Sequence, residues 1–405
     1  MNGKKLFARA LLLGLLFQTA SYAGSRTWTC KIWPKESKTI IDDSTGAKVI
    51  FVTTNKASDT NLYFHMRSFL SDGSMLLFYT NRTGRQELFG YLMKTGELVQ
   101  FIKKGDPAVG NVTASILGNA IYLMKKNAIF EWKVSYSLKN KNHPTTVRIS
   151  ERKICDLGDN SAIGGAAELT ESCDSKFLAT KASLKNGRGS VILLINKSTG
   201  DIREAVTIGY KISHLQFSRT NPDVVMYAHW YKRDEPLSKQ DWHSRMWLAN
   251  VKTGVSWPLH PQAVGEYNTH ECWWVNDQVT FCGGYKDGHS PVRVIDTHTG
   301  LIRVIGEGAW WQGASASDLA KYNWWHASGD YQGRWVAADN WHGIIALFDG
   351  KTTQEHILTQ GHRIYGRGKH PHVGWNHLGG MVEFTSNKFG NPDVCIAFIP
   401  KAWEK

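Results

Sequence analysis

Asn61–Ile102 reads NLYFHMRSFLSDGSMLLFYTNRTGRQELFGYLMKTGELVQFI. Four short β-prone runs are separated by Asp72-Gly73, Thr83-Gly84 and Thr95-Gly96. Strand, Asp-Gly turn, strand, Gly turn, strand, Thr-Gly turn, strand describes four antiparallel strands of even spacing, the pattern of one propeller blade. The unit recurs along the chain. A second copy begins at Asn111 (NVTASILGNAIYLMKKNAIFEWKV). A third runs from Gly164 to Ile208, a fourth from His214 to Leu259, a fifth from Thr269 to Gly306 and a sixth from Asn323 to Thr359. A seventh, Lys369 to Pro400, is short, so the strand-like runs near the N-terminus are expected to complete it and close a ring. Thr95-Gly96, Thr199-Gly200, Thr253-Gly254 and Thr299-Gly300 each fall between the last two strands of a copy. Four-strand units at periods of about 40–55 residues predict an all-β, seven-bladed β-propeller, because each repeat needs its neighbours to bury its faces. A pair of β-sandwiches is the alternative. On the propeller reading, residues 24–405 form one domain.

The composition is globular: 42% hydrophobic and 20% charged residues, with no low-complexity tract, and no helical periodicity of any length after the N-terminus. Residues 1–23 read as a signal peptide. Lys4, Lys5 and Arg9 form a charged start, Ala10–Phe17 is apolar, and Ser21-Tyr22-Ala23 offers small residues for cleavage. The expected location is therefore periplasmic or secreted, with no integral membrane segment after cleavage. Loss of the three cations lowers the formal charge from +13 to +10, still basic. A basic exported protein favours an acidic partner. The cations are scattered rather than run together, which argues for no nucleic acid partner. All six cysteines lie beyond the signal, and an even count in an oxidising compartment permits disulfides. The expected pairs are Cys155 with Cys173, Cys272 with Cys282, and Cys30 with Cys395 across the ring closure.

The repeat gives the histidines a common address. His65, His214, His270, His326, and His370 with His372 all fall near the start of a copy's first strand. First strands line a propeller's channel, so several imidazoles are expected in one funnel. His370 and His372, at i and i+2 on a strand, point to one side with Cα atoms about 7 Å apart. Joined to His270 across the channel they would offer three nitrogens to a metal, with oxygens completing the shell. Simple alternation sends Glu271 to the other face. Arg219 stands just past the fourth copy's first strand, at a channel mouth, and suits a carboxylate. His229 ends the next strand. His243 and Arg245 open the third, after the insertion YKRDEPLSKQD, and one of these two histidines is a candidate general base. Trp230, Trp242, Trp273, Trp274, Trp324, Trp325 and Trp341 crowd the same segments, either as core or as stacking faces for sugars. No GxSxG elbow, P-loop or dinucleotide fingerprint is present.

Taken together, HLQFSRTNPDVVMYAHW, RMWLANVKTG, LHPQAVGEYNTHECWW, AADNWHG and KHPHVGW resemble the oligogalacturonate lyases and related propeller polysaccharide lyases. The resemblance spans most of the chain. It implies a seven-bladed propeller with a divalent metal in the channel, Mn2+ first and Zn2+ or Ca2+ as alternatives. It also implies β-elimination of uronate-containing oligosaccharides. On it, His270, His370 and His372 match the metal ligands, Arg219 matches the catalytic, substrate-binding arginine, and His243 or His229 matches the base. His214, Arg245, His326 and Arg367 are the candidate substrate contacts. Arg367 also stands where the family carries a glutamine ligand, a departure that touches the metal site. Ulvan lyases are an alternative for the substrate. A non-catalytic, exported glycan-binding propeller is the alternative of another class.

Overall fold

The computed structural model describes residues 25–158, 163–185, 187, 189–230, 244–263, 266–284, 289–363 and 370–403. The expectations placed on residues 1–23, Trp242, His243, Arg367 and the insertion before His243 lie outside the described residues. Among the described residues no helix is long and apolar enough to cross a membrane.

The chain forms seven antiparallel sheets in a ring, a seven-bladed β-propeller. Blade I is built from Asp59–Asn61, Met75–Thr80, Glu87–Leu92 and Leu98–Gln100, innermost strand first. Lys31–Trp33 adds a fifth strand outside. Blade II comprises Gly110–Ala114, Ala120–Lys125, Ala128–Ser137 and Thr146–Asp156, flanked by Arg26–Thr29. Its fourth strand lies beyond the stretch in which the second repeat was legible. Blades III, IV, V and VI have inner strands Ile163–Glu171, Ile212–Phe217, Tyr267–Trp273 and Trp324–Gly329. The Thr-Gly turns join third to fourth strands, with φ of 77° at Gly96, 80° at Gly200, 76° at Gly254 and 71° at Gly300. That left-handed region costs glycine no steric clash with a Cβ.

Blade VII carries the closure. Gly374–Trp375, Met381–Ser386 and Asp393–Phe398 are followed outward by Lys48–Phe51 and Lys38–Ile41 from the N-terminal side. Register sets Cys395 opposite Phe51, Ile396 opposite Ile50 and Ala397 opposite Val49. The two ends of the ring are thus zipped by backbone hydrogen bonds and apolar side chains. Every junction between neighbouring blades has its own buried cluster. This explains why middle strands such as Ala120–Lys125 and Trp335–Asn340 are buried on both faces instead of alternating.

The expected disulfides do not form: all six cysteines are free thiols. Cys30 hydrogen-bonds Val147 and belongs to the cluster between blades I and II, whereas Cys395 belongs to that between VI and VII. Cys272 faces Thr280 while Cys282 faces Thr269, so the hairpin register keeps them apart. Cys155 sits on the last strand of blade II and Cys173 beyond the first strand of blade III. Closure accordingly rests on packing. Phe51→Ala, at a fully buried position, is expected to cost about 3–5 kcal/mol in chemical denaturation, whereas dithiothreitol should leave the melting temperature unchanged.

Candidate active site at the channel mouth

The channel wall is irregular at one level in successive blades. Asn111, Glu168, His214 and His270 have φ of 49°, 61°, 54° and 54°. Strand pairing slips by a residue at or beside each of them. These are β-bulges whose extra residue adopts the left-handed conformation, which re-aims the side chain at about 1–3 kcal/mol of local strain. Blade VI has the same slip between Trp324 and His326, and His372 ahead of blade VII has φ 51°.

The bulges gather the imidazoles. Ring centroids lie 4.2 Å apart for His270 and His326, 4.7 Å for His326 and His372, and 5.4 Å for His326 and His370. His370 and His372 are 5.4 Å apart, His214 and His270 6.0 Å, and His65 and His214 5.4 Å. Blade I sends Tyr63 and Phe64 into this ring. Phe64 packs against the rings of His214, His270 and His326, and Tyr63 against those of His214, His326 and His372. Burial holds His65, His270, His326 and His372 well below the usual imidazole range, reinforced by neighbouring histidines. These rings are neutral at pH 7 and present lone pairs. Asp339, pushed up to about 7 by burial, meets His326 Nδ1 at 2.9 Å and accepts from the His372 backbone N–H at 3.1 Å.

One charge is fully buried here. Glu271 Oε1 lies 2.6 Å from His214 Nδ1, and its Oε2 accepts from Arg245 Nε at 2.9 Å. Burial opposes this charge, but Arg245 and His214 outweigh it and hold the carboxyl well below the carboxylate range. An ionised carboxylate only accepts, so His214 Nδ1 carries the proton. In the neutral ring Nε2 is then the acceptor for the Tyr63 hydroxyl, 3.1 Å away. Burial pushes the Tyr63 phenol far up, keeping it protonated.

The structure thus brings together His214, Arg245, His270, His326, His370 and His372. It does not bring Arg219 to them. That residue follows the inner strand's far end, roughly 15 Å along at strand rise. There its guanidinium donates to the carbonyls of Gly329 and Asp330 at 3.1 and 2.9 Å and stacks 3.9 Å from the Tyr331 ring centre. His229 is buried against Tyr210, ring centroids 3.7 Å apart, and burial with Arg245 pushes it down to about 4. Trp273, Trp274 and Trp324 are core, whereas Trp325 is half-buried and 5.4 Å from the His270 ring. Sequence reasoning missed Tyr63, Phe64 and Asp339. Glu271 does face the opposite way from His270, toward His214 and Arg245 of blade IV while His270 faces His326 of blade VI, but its buried pairing was not foreseen. The YFH triplet after the inner strand of blade I was the available signal for Tyr63 and Phe64.

A divalent metal fits the donors in kind. The imidazoles of His270, His326, His370 and His372 are held below their usual pKa, and the buried His326 Nε2 has no hydrogen-bond partner among the described residues. Among the described residues no three His, Cys, Asp or Glu side chains converge on one point as a metal site.

Glu271→Gln would leave Arg245 a buried charge without its carboxylate and is expected to cost about 3–5 kcal/mol. The native carboxyl's pKa is depressed, so its contribution is complete above the unfolded value of about 4.3 and fades as pH falls. Denaturation curves between pH 6 and pH 3 should therefore fall more steeply for the native protein than for Glu271→Gln.

No protein-family model matches the chain, and no curated protein sequence matches it. Solved structures do. An oligogalacturonate lyase in complex with manganese superposes with a TM-score of 0.74 at 17% identity, over 93% of this chain and 99% of that one. The oligogalacturonate lyase from Vibrio parahaemolyticus gives 0.69 at 16%, over 94% and 100%. A puromycin-hydrolyzing peptidase from Mycobacterium tuberculosis gives 0.53 at 11%, over 82% of this chain and 50% of that one. The chain shares the propeller fold of the oligogalacturonate lyase structures along nearly their whole length.

Proposed function

We propose that the protein is an exported lyase that cleaves uronate-containing oligosaccharides, oligogalacturonate first among them, by β-elimination. The observation that carries this reading is the set of neutral imidazoles at one mouth of the channel, wrapped around the Tyr63–His214–Glu271 relay. The shared fold with the two oligogalacturonate lyases supports it, as does the basic charge, +13 for the full sequence and +10 without Lys4, Lys5 and Arg9, which favours an acidic glycan.

In the reaction a base removes the C5 proton of the uronate. The C–H electron pair becomes the C4–C5 double bond as the C4–O bond breaks, and the departing oxygen takes a proton. His243 is assigned the base, on the resemblance and because His229 is buried against Tyr210. Tyr63 is the proton donor to the departing oxygen: its hydroxyl hydrogen turns from His214 Nε2 to that oxygen as the C4–O bond breaks, and water reprotonates the phenolate afterwards. Its hydroxyl is bonded to His214, which Glu271 and Arg245 hold in one tautomer and orientation. A divalent ion bound by His270, His370 and His372, with His326 beside them, would neutralise the uronate carboxylate and stabilise the enolate-like charge that follows proton loss.

Incubation with oligogalacturonate, other uronate oligomers and ulvan fragments should raise the ultraviolet absorbance of an unsaturated uronate with at least one of them. Silence on every acidic glycan would sink the reading. Tyr63→Phe and His243→Ala should each lower kcat by about 100-fold or more, and His229→Ala should leave kcat within a few-fold of native. Elemental analysis should find one divalent ion per chain, lost in the His370→Ala/His372→Ala double variant. A metal-free protein that binds glycan without cleaving it would instead be a binding propeller.

A further inference from the structure

The same mouth carries an aromatic surface that the reaction does not use. In blade VI, Trp324 pairs with Asn340, so the turn at Trp341-His342-Gly343 stands at the end of the blade where His326 begins. Tyr322 precedes that strand at the end of a short helix, Ala316–Tyr322. From His270 the rings follow one another outward. Trp325 is 5.4 Å from His270 and 5.5 Å from Trp341, and beside Trp341 in the chain comes His342. The ring of Tyr322 lies 4.0 Å from His342, and that of Trp311 5.7 Å from Tyr322. Three aromatics at the outer end are strongly exposed: Trp310 at 50%, Trp311 at 41% and Tyr322 at 45%. Large aromatic faces are costly to leave in water and suit the apolar face of a sugar ring.

Cations flank this surface. Lys321 precedes Tyr322 on the helix, and Arg363 follows His362, whose backbone N–H donates to the Gly343 carbonyl at 3.0 Å beside His342. Lys321 also pairs with Asp318 at 3.4 Å, an exposed contact of little energy. The buried Nε2 of His342 has no hydrogen-bond partner among the described residues. Stacking faces beside cations and an unused imidazole nitrogen match a sugar that has an apolar ring face, hydroxyls and a carboxylate.

We propose that Trp311, Tyr322 and His342, with Arg363, form a secondary uronate subsite at the channel mouth, so that the protein prefers acidic oligosaccharides long enough to reach from the histidines to this lip. The inference rests on the lyase reading for its substrate class and adds chain-length selection to it.

The test compares kcat/KM on a ladder of uronate oligomers for the native protein, Trp311→Ala, Tyr322→Ala and Arg363→Ala, with Leu301→Ala as an exposed control at the opposite end of blade V. The long-to-short ratio of kcat/KM should fall about tenfold in Trp311→Ala and Tyr322→Ala and stay at the native value in Leu301→Ala. Equal losses at every length, or none, would overturn the subsite. Where no acidic glycan is turned over, the lyase reading fails, and quenching of tryptophan fluorescence by the same ladder decides the subsite alone. Tighter binding of longer oligomers, abolished in Trp311→Ala, supports it, and length-independent binding rejects it.

Discussion

Glu271 is a carboxylate with no exposed side-chain surface, placed between two blades by a bulge that lets it turn toward its neighbour. Its charge survives burial because Arg245 and His214 face it from blade IV. The arrangement fixes more than a salt bridge. It sets which nitrogen of His214 holds the proton, and so which one meets Tyr63, and it ties blade IV to blade V at the level where the channel opens. Replacing Glu271 would remove from a low-dielectric site the carboxylate that Arg245 and His214 both face, a loss larger than the pair's own net contribution.

Around this pair the site consists of imidazoles that cannot easily be charged. Protonating His270 would place a cation near His326, His214, Arg245 and His372, in addition to removing it from water. The same holds for His326 beside His370 and for His372 beside both. A cluster of this kind stores lone pairs, which suit proton acceptance or metal ligation. Phe64 matters to this balance. Its buried ring packs against those of His214, His270 and His326 and so adds to the burial that keeps them uncharged.

The fold and the site depend on each other through the bulges. A propeller's inner strands pack on both neighbours, and a regular strand would turn alternate residues into the interfaces. The left-handed residues at Glu168, His214 and His270 are strained. They persist because blades packed on either side leave the strand no other register. The closure of blade VII by Lys48–Phe51 completes that packing around the ring without a covalent staple among the described residues.

The sequence by itself determined the architecture. Turn chemistry at Asp-Gly and Thr-Gly is local, its spacing repeats, and four-strand units of that length can bury their faces only against one another. The same repetition placed His65, His214, His270, His326, His370 and His372 at equivalent positions, because equivalent positions in a propeller converge on one axis. What only the tertiary structure decided depended on departures from that regularity. Alternation turns Glu271 away from His270, but the His214 and Arg245 that meet it there come from another blade, so the buried pair was not legible locally. Arg219 looked close to His214 in sequence, yet a strand carries side chains apart by over three ångströms per residue. Tyr63 and Phe64 enter a site built by blades distant in sequence, a contact no local pattern encodes. The cysteines suggested bridges by their even number, but disulfides require Cβ atoms that face each other, and strand register kept these apart.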